Sequence, residues 1–278
     1  MKQIWKETAK RLEKIYDRRE AENITYLLLE DVFDISRSDI LAEVKIQKHL
    51  TGIDEYIDRL LNGEPIQYVT GVADFYGRKF HIARGALIPR PETEELCEAI
   101  IQENDLIKPK VMDVGVGSGC IAITLANELK GEVFGTDVSR EAIAIASKNA
   151  RKLEADVAFS VSDILKEDLP ESNLDILVSN PPYIPLSDQK EMRENVLDFE
   201  PSQALFVPDE DPILFYKRIA KKGLDHLKKG GKLYFEIHEN FGNEVKNHLQ
   251  KVGYTDVILH KDMQGKDRMI SATNSASR

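Results

Sequence analysis

From about Lys2 to Gly63 the apolar residues recur at helical spacing. Ile4, Trp5, Thr8, Leu12, Ile15 and Tyr16 fall on one face of a first helix. Leu27, Leu28, Val32 and Phe33 continue the stripe in a second. Ser36 or Ser38 can cap a third, which carries Ile40, Leu41, Val44 and Ile46. A fourth runs from Asp54 to Leu61 and is stopped by Asn62-Gly63 and Pro65. Stripes of this width describe the core of a helical bundle, and Trp5 reads as part of that core rather than as a ligand box.

Past Phe75 the period changes. Residues up to Ile88 alternate and include Gly77 and Gly85, the pattern of a β-hairpin. From Pro89 onward strand-like and helix-like stretches take turns, which predicts a doubly wound α/β sheet. Strands are expected at Val111–Gly115, Glu132–Asp137, near Val157–Phe159, at Leu174–Ser179, Lys232–Ile237 and Thr255–Leu259, and near Arg268–Ser271. Helices are expected at Cys120–Asn127, at Pro212–Leu227 with Pro212 in its first turn, and at Phe241–Val252. Lys228–Gly231 reads as a turn, and the polar tail Asn274–Arg278 as frayed. The chain thus divides into a helical domain (1–72), a hairpin linker (73–88) and an α/β domain (89–278).

The chemistry concentrates where predicted strands end. Leu174–Ser179 is a buried strand that stops at Asn180-Pro181-Pro182-Tyr183. Open α/β sheets place ligands at that carboxyl edge. Asn180 can offer a carbonyl oxygen to one N–H of a planar amine, and the Pro181 carbonyl can take the other. The prolines fix φ and remove competing donors, while Tyr183 supplies a flat face. The plain alternative is a proline-rich turn after a strand.

Upstream, Val111–Gly115 runs through Asp113 into the turn Gly115-Val116-Gly117-Ser118-Gly119 and then a helix. Glycines there let the backbone approach a ligand closely. The spacing departs from the dinucleotide fingerprint, which wants a small residue where Cys120 stands. An acid at Asp113 repels phosphate and suits a cationic ligand, such as the amino group and sulfonium of S-adenosylmethionine. Glu132–Asp137 is a second strand ending in an acid; Asp137 can accept both ribose hydroxyls, or is by itself a mere acid at a helix N-terminus, and the order and spacing with the glycine turn favour the former. Asp163 either accepts an exocyclic adenine amine, with Ile164 packed on the ring, or is a loop acid capping the next turn. Glu92 and Glu94 either help shape a cofactor site or are simply acids in a first helical turn.

Composition narrows the field. A net charge of −10 and a pI near 5.2 argue against a polyanion binder. The six histidines (His49, His81, His226, His238, His248 and His260) show no metal-ligand spacing, so no metal is expected. Cys97 and Cys120, the two cysteines, lie in apolar helix-like settings and read as reduced thiols of a cytoplasmic protein. No run approaches membrane-spanning length, and the start lacks a signal-like apolar segment.

Taken together, DVGVGSG (113–119), GTD (135–137), SD (162–163) and NPPY (180–183) resemble the class I S-adenosylmethionine-dependent N-methyltransferases. PIQYVTG (65–71), LIPRPETEEL (87–96), EPSQAL (200–205) and GGKLYFEI (230–237) narrow this to a resemblance with the peptide-chain release factor glutamine methyltransferases, over nearly the whole chain. The resemblance implies a seven-stranded class I methyltransferase sheet whose last strand is antiparallel. It implies methylation of the glutamine side-chain amide in the Gly-Gly-Gln loop of release factors, these being the protein partner. Gly115–Gly119 would contact the methionine part of the cofactor, Asp137 the ribose, and Asp163 with Ile164 the adenine. Ile164 stands where some members carry an aromatic residue. Asn180 and Pro181 would hold the glutamine amide, with Pro182 and Tyr183 completing its site. The helical domain would recognise the protein substrate, or else cap the catalytic domain.

Two rival readings differ in kind. An adenine-N6 nucleic-acid methyltransferase shares the Asn-Pro-Pro-Tyr logic but calls for a basic, base-flipping cleft. A cofactor-binding assembly protein without activity has no need of Asn180 beside an intact glycine turn.

Overall fold

The computed structural model describes residues 2–42 and 50–275, so Val44, Ile46, His49 and 276–278 lie outside the described residues. The chain forms two compact units. The first holds Met1–Val72, Ile82–Arg84 and Arg193–Phe199; the second holds Ala73–His81, Gly85–Met192 and Glu200–Arg278.

The first unit is helical: α1 (Lys2–Leu12), α2 (Arg18–Phe33), α3 (Arg37–Leu41), α4 (Ile53–Leu61) and α5 (Ile66–Thr70). Leu12, Ala21, Ile24, Leu28, Ile57, Leu60 and Val69 are buried together at its centre. Trp5 stacks on Tyr26 with ring centroids 4.9 Å apart, as a core residue does. Ser36, not Ser38, caps α3, with Asp39 closing a reciprocal capping box. Helix α1 ends at Leu12, so Ile15 drops off the predicted stripe and is half exposed. Helix α5 begins directly after Pro65, where only a stop was expected. Arg59 joins α4 to α5, its guanidinium donating to Glu64 at 2.8 Å and to the carbonyls of Tyr68 and Val69 at 2.9 and 3.1 Å.

In chain order the remaining strands and α-helices are β1 (Val72–Phe75), β2 (Arg78–His81), α6 (Pro91–Gln102), β3 (Lys110–Val114), α7 (Cys120–Leu129), β4 (Glu132–Asp137), α8 (Arg140–Lys152), β5 (Val157–Val161), β6 (Leu174–Ser179), β7 (Ile184–Pro185), α9 (Glu194–Phe199), α10 (Ser202–Leu205), β8 (Phe206–Val207), α11 (Leu214–His226), β9 (Leu227–Glu236), α12 (Gly242–Val252), β10 (Tyr254–Lys261) and β11 (Asp267–Asn274). The hairpin β1–β2 turns at Tyr76-Gly77 and is shorter than its alternating stretch, because residues beyond His81 leave the ladder.

The main sheet has seven strands in the order β10-β11-β9-β6-β3-β4-β5. Strands β9, β6, β3, β4 and β5 run parallel, and β11 is antiparallel to both of its neighbours. Strand β6 is buried along nearly its whole length, as a central parallel strand must be. One large apolar cluster, including Met112, Leu177, Tyr216, Ile219, Phe235 and Leu249, packs α11 and α12 on the sheet.

Three boundaries differ from the sequence reading. Pro212 precedes α11, whose cap is Ile213. Lys228–Gly231 is a bulge inside β9 rather than a turn before it: the pairing steps from Leu174↔Leu227 to Ile176↔Lys232. Asn274 is not frayed. It is buried in β11, and its amide donates to the carbonyls of Leu224 and Leu227 at 3.2 and 3.0 Å.

Candidate active site

The chain runs outward from β3 through β4 to β5, then returns to place β6 on the other side of β3. Such a reversal opens a crevice at the strands' carboxyl ends. A solvent-open cleft of about 810 Å³ lies there, inside the second unit. Gly115, Gly117, Asp137, Asp163, Ile164, Asn180, Pro181 and Pro182 all line it.

The glycine turn owes its shape to backbone that L side chains avoid. Gly115 and Gly117 have φ of +80° and +53°. A Cβ at either would meet nothing within 4 Å, so the cleft comes directly against bare main chain. The Gly115 and Val116 N–H groups donate to the Thr136 carbonyl at 2.7 and 3.0 Å, locking the turn to the end of β4. Asp137 adds a second lock, accepting from the N–H groups of Gly117 at 3.0 Å and Ser139 at 2.8 Å. Burial raises the Asp137 pKa, and these N–H groups partly offset that rise.

Other members of the predicted set lie behind the wall. Val116, Ser118 and Gly119 support the turn from beneath without lining the cleft. Asp113 also departs from its expected place. It is wholly buried, and its Oδ2 accepts from the Ala122 N–H at 3.1 Å. β3 is covered on both faces, so this side chain anchors the start of α7 and does not line the cleft. Burial pushes its pKa up to about 8.

Asp163 caps the next turn, as the plainer of its two readings has it, and it also borders the cleft. It holds that turn through the Leu165 N–H at 3.0 Å and Lys166 at 2.7 Å. Lys166 keeps its carboxyl below the usual range. Ile164 lines the cleft while packing on the main core.

Asn180 faces the cleft from the end of β6, and its amide nitrogen donates to Thr93 Oγ1 at 3.2 Å. Thr93 donates to Glu236 Oε2 at 2.6 Å, and the Tyr183 hydroxyl donates to Glu236 Oε1 at 3.2 Å. Tyr183 therefore sits behind the lining, edge-on to His238 with ring centroids 5.9 Å apart. Thr93 and Glu236 are buried and were not singled out from sequence, although each lies in a motif of the resemblance, PRPETEE and GGKLYFEI. Glu92 and Glu94 sit in the first turn of α6 after Pro91 and do not line the cleft, the plainer of their two readings.

The LIPRPETEEL and EPSQAL segments meet in an ion pair. Arg90 donates to Glu200 at 2.6 Å, which fixes the start of α6 against the segment leading through Pro201 into α10; Pro201, Gln203 and Ala204 are three further residues of the cleft wall. Among the described residues, no group of three or more His, Cys, Asp or Glu could hold a metal ion. No helix among them is long and apolar enough to cross a membrane.

The family model described as Methyltransferase small domain matches residues 93–198, and that described as PrmC N-terminal domain matches residues 3–71. The chain is 44% identical over 269 residues to a release factor glutamine methyltransferase of Bacteroides thetaiotaomicron, covering 94% of this chain and 95% of that protein. It is 41% identical to another of Flavobacterium psychrophilum, covering 93% and 94%. Among solved structures, a methyltransferase from Pyrococcus furiosus superposes with a TM-score of 0.55 at 18% identity, over 80% of this chain and all of that one, which shows a shared fold. With this identity sustained along nearly its full length, the chain belongs to the release factor glutamine methyltransferase family.

Proposed function

We propose that this enzyme transfers a methyl group from S-adenosylmethionine to the side-chain amide nitrogen of the glutamine in the Gly-Gly-Gln loop of peptide-chain release factors. One observation carries the reading: Asn180 and Pro181 share a cleft wall with Gly115, Gly117 and Asp137. A grip for a planar amide and a shelf for a nucleoside thus open onto one space.

The residues present fit S-adenosylmethionine. The bare main chain at Gly115 and Gly117 leaves room for its methionine part. Asp137, partly spent on Gly117 and Ser139, keeps acceptor capacity for ribose hydroxyls. Asp163 and Ile164 would flank the adenine. When bound, the cofactor supplies a methyl carbon made electrophilic by its sulfonium. An amide nitrogen is a poor nucleophile because its lone pair is delocalised. Asn180 Oδ1 and the Pro181 carbonyl would accept its two N–H bonds and aim the nitrogen at that carbon. Positioning of this kind supplies ~7–11 kcal/mol of a barrier. The nitrogen sheds one proton once the new N–C bond forms, so no strong base is needed beforehand.

The helical unit at residues 1–72 is proposed as the reader of the release factor's folded surface. No observation favours an adenine-N6 nucleic-acid substrate. Incubation with radiolabelled cofactor tests the whole reading. Label should appear in purified release factor, at the Gly-Gly-Gln glutamine by mass spectrometry, and not in DNA or RNA controls. Label in nucleic acid alone would refute it.

A further inference from the structure

We infer that Thr93 and Glu236 are positioning residues that set the polarity of the Asn180 carboxamide, so that its oxygen rather than its NH₂ faces the cleft. The inference rests on the proposed role of Asn180 and extends it to residues that do not line the cleft.

A carboxamide has two nearly isosteric ends of opposite hydrogen-bonding sense. Only the oxygen end can accept from a substrate N–H. Asn180 alone carries nothing that chooses between them. Thr93 makes the choice through its single proton. That proton goes to Glu236 Oε2 at 2.6 Å, so the hydroxyl has only lone pairs left for Asn180. A lone pair calls for an N–H, and the amide NH₂ is drawn to Thr93 at 3.2 Å. The oxygen is left for the cleft.

The chain of donors starts at Glu236 because an ionised carboxylate can only accept. It takes a proton from Thr93 on one oxygen and from Tyr183 on the other, at 3.2 Å. Were Glu236 protonated, it could donate to Thr93, which would then donate onward and pull the Asn180 oxygen out of the cleft. Burial raises the Glu236 pKa, while Thr93, Arg268 and Tyr183 lower it and Glu92 raises it. The other titratable groups facing it are Cys97, Cys120 and Tyr216, all buried. An acid limb in turnover should therefore lie above the usual glutamate range, with activity lost as pH falls through it.

The test uses the full-length enzyme with intact release factor. Thr93→Val removes the hydroxyl at nearly constant volume; Thr93→Ala is the second variant in case the new methyl crowds the site. Either should lower kcat on the order of 10- to 100-fold while the calorimetric affinity for S-adenosylmethionine stays unchanged. Thr93→Ser should recover most of the loss. Glu236→Gln, which can donate, should lower kcat and abolish the acid limb. Near-normal kcat in both Val and Ala variants, an equal loss in Thr93→Ser, or a persisting limb in Glu236→Gln would overturn the inference. Asn180→Ala run in parallel separates the two levels. If it alone is inactive, the amide grip stands and the polarity relay falls. If it too turns over normally, both fall.

Discussion

Asp137 reaches back from the end of β4 to accept the main-chain N–H of Gly117 at 3.0 Å. One carboxylate thereby shapes the glycine turn and presents its remaining lone pairs to the cleft. Asp137→Ala should weaken S-adenosylmethionine binding by about 10- to 100-fold, since hydrogen bonds to charged groups contribute ~1.5–3 kcal/mol each. Calorimetry checks this, and unchanged affinity removes the ribose role. The same carboxylate should make affinity pH-dependent. Its pKa is raised in the protein, so binding weakens as pH falls through a value above that of an ordinary aspartate.

Asn180→Ala should lower turnover by at least about 100-fold with cofactor affinity retained, because on the proposed reading the lost contact is to the methyl acceptor. Single-turnover transfer to purified release factor, paired with calorimetry, separates the two effects. Turnover close to that of the parent would remove the amide grip.

Gly135 lies on β4 beneath the glycine turn. A Cβ there would come within 2.5 Å of Val116 Cγ1 and 2.9 Å of Phe159. Gly135→Ala should cost about 1–3 kcal/mol of stability as an overpacked core residue. It should also weaken cofactor binding, because Val116 is flanked by Gly115 and Gly117 and cannot shift alone. Denaturant melts and calorimetry on one preparation would show both losses, and a stability loss without an affinity loss would uncouple the turn from β4.

Asp113 predicts a pH dependence of stability. Its pKa is about 8 in the folded chain against 3.8 for the free side chain. Between those values the folded state holds the proton and the unfolded state releases it, so this group's contribution is present at low pH and lost as pH rises. Asp113→Asn should remove a slope approaching about 1.4 kcal/mol per pH unit within that window. Its stability relative to the parent should therefore climb from pH 4 to pH 8. A difference that stays flat across the window contradicts the assignment.

Sheet, helices and cleft floor were legible because their causes are local. Gly115 and Gly117 demand a left-handed turn, and Asn180-Pro181 demands a strand end, whatever surrounds them. Errors arose where distant packing decides. Asp113 reads as a ligand group from its neighbours in sequence, but coverage of β3 on both faces seals it from the cleft. Lys228–Gly231 carries turn chemistry that β9 absorbs as a bulge against β6. Thr93 and Glu236 are 143 positions apart, so no periodicity links them and only the folded sheet reveals the contact. Tyr183 reads from sequence as a flat face, and only the fold shows its hydroxyl committed to Glu236.

Strands β3 and β6 pair in parallel with Val114 opposite Ser179, and the Ser179 hydroxyl donates to the Val114 carbonyl at 2.6 Å. The proposed nucleoside shelf and amide grip each begin one residue beyond that rung, at Gly115 and Asn180. Their separation is therefore inherited from a single interstrand spacing of about 4.8 Å. On the proposed reading, donor and acceptor are gauged by the scaffold itself, and no hinge can pull them out of alignment. Heat inactivation should then coincide with melting of the sheet, with no earlier phase in which a folded enzyme has lost its aim.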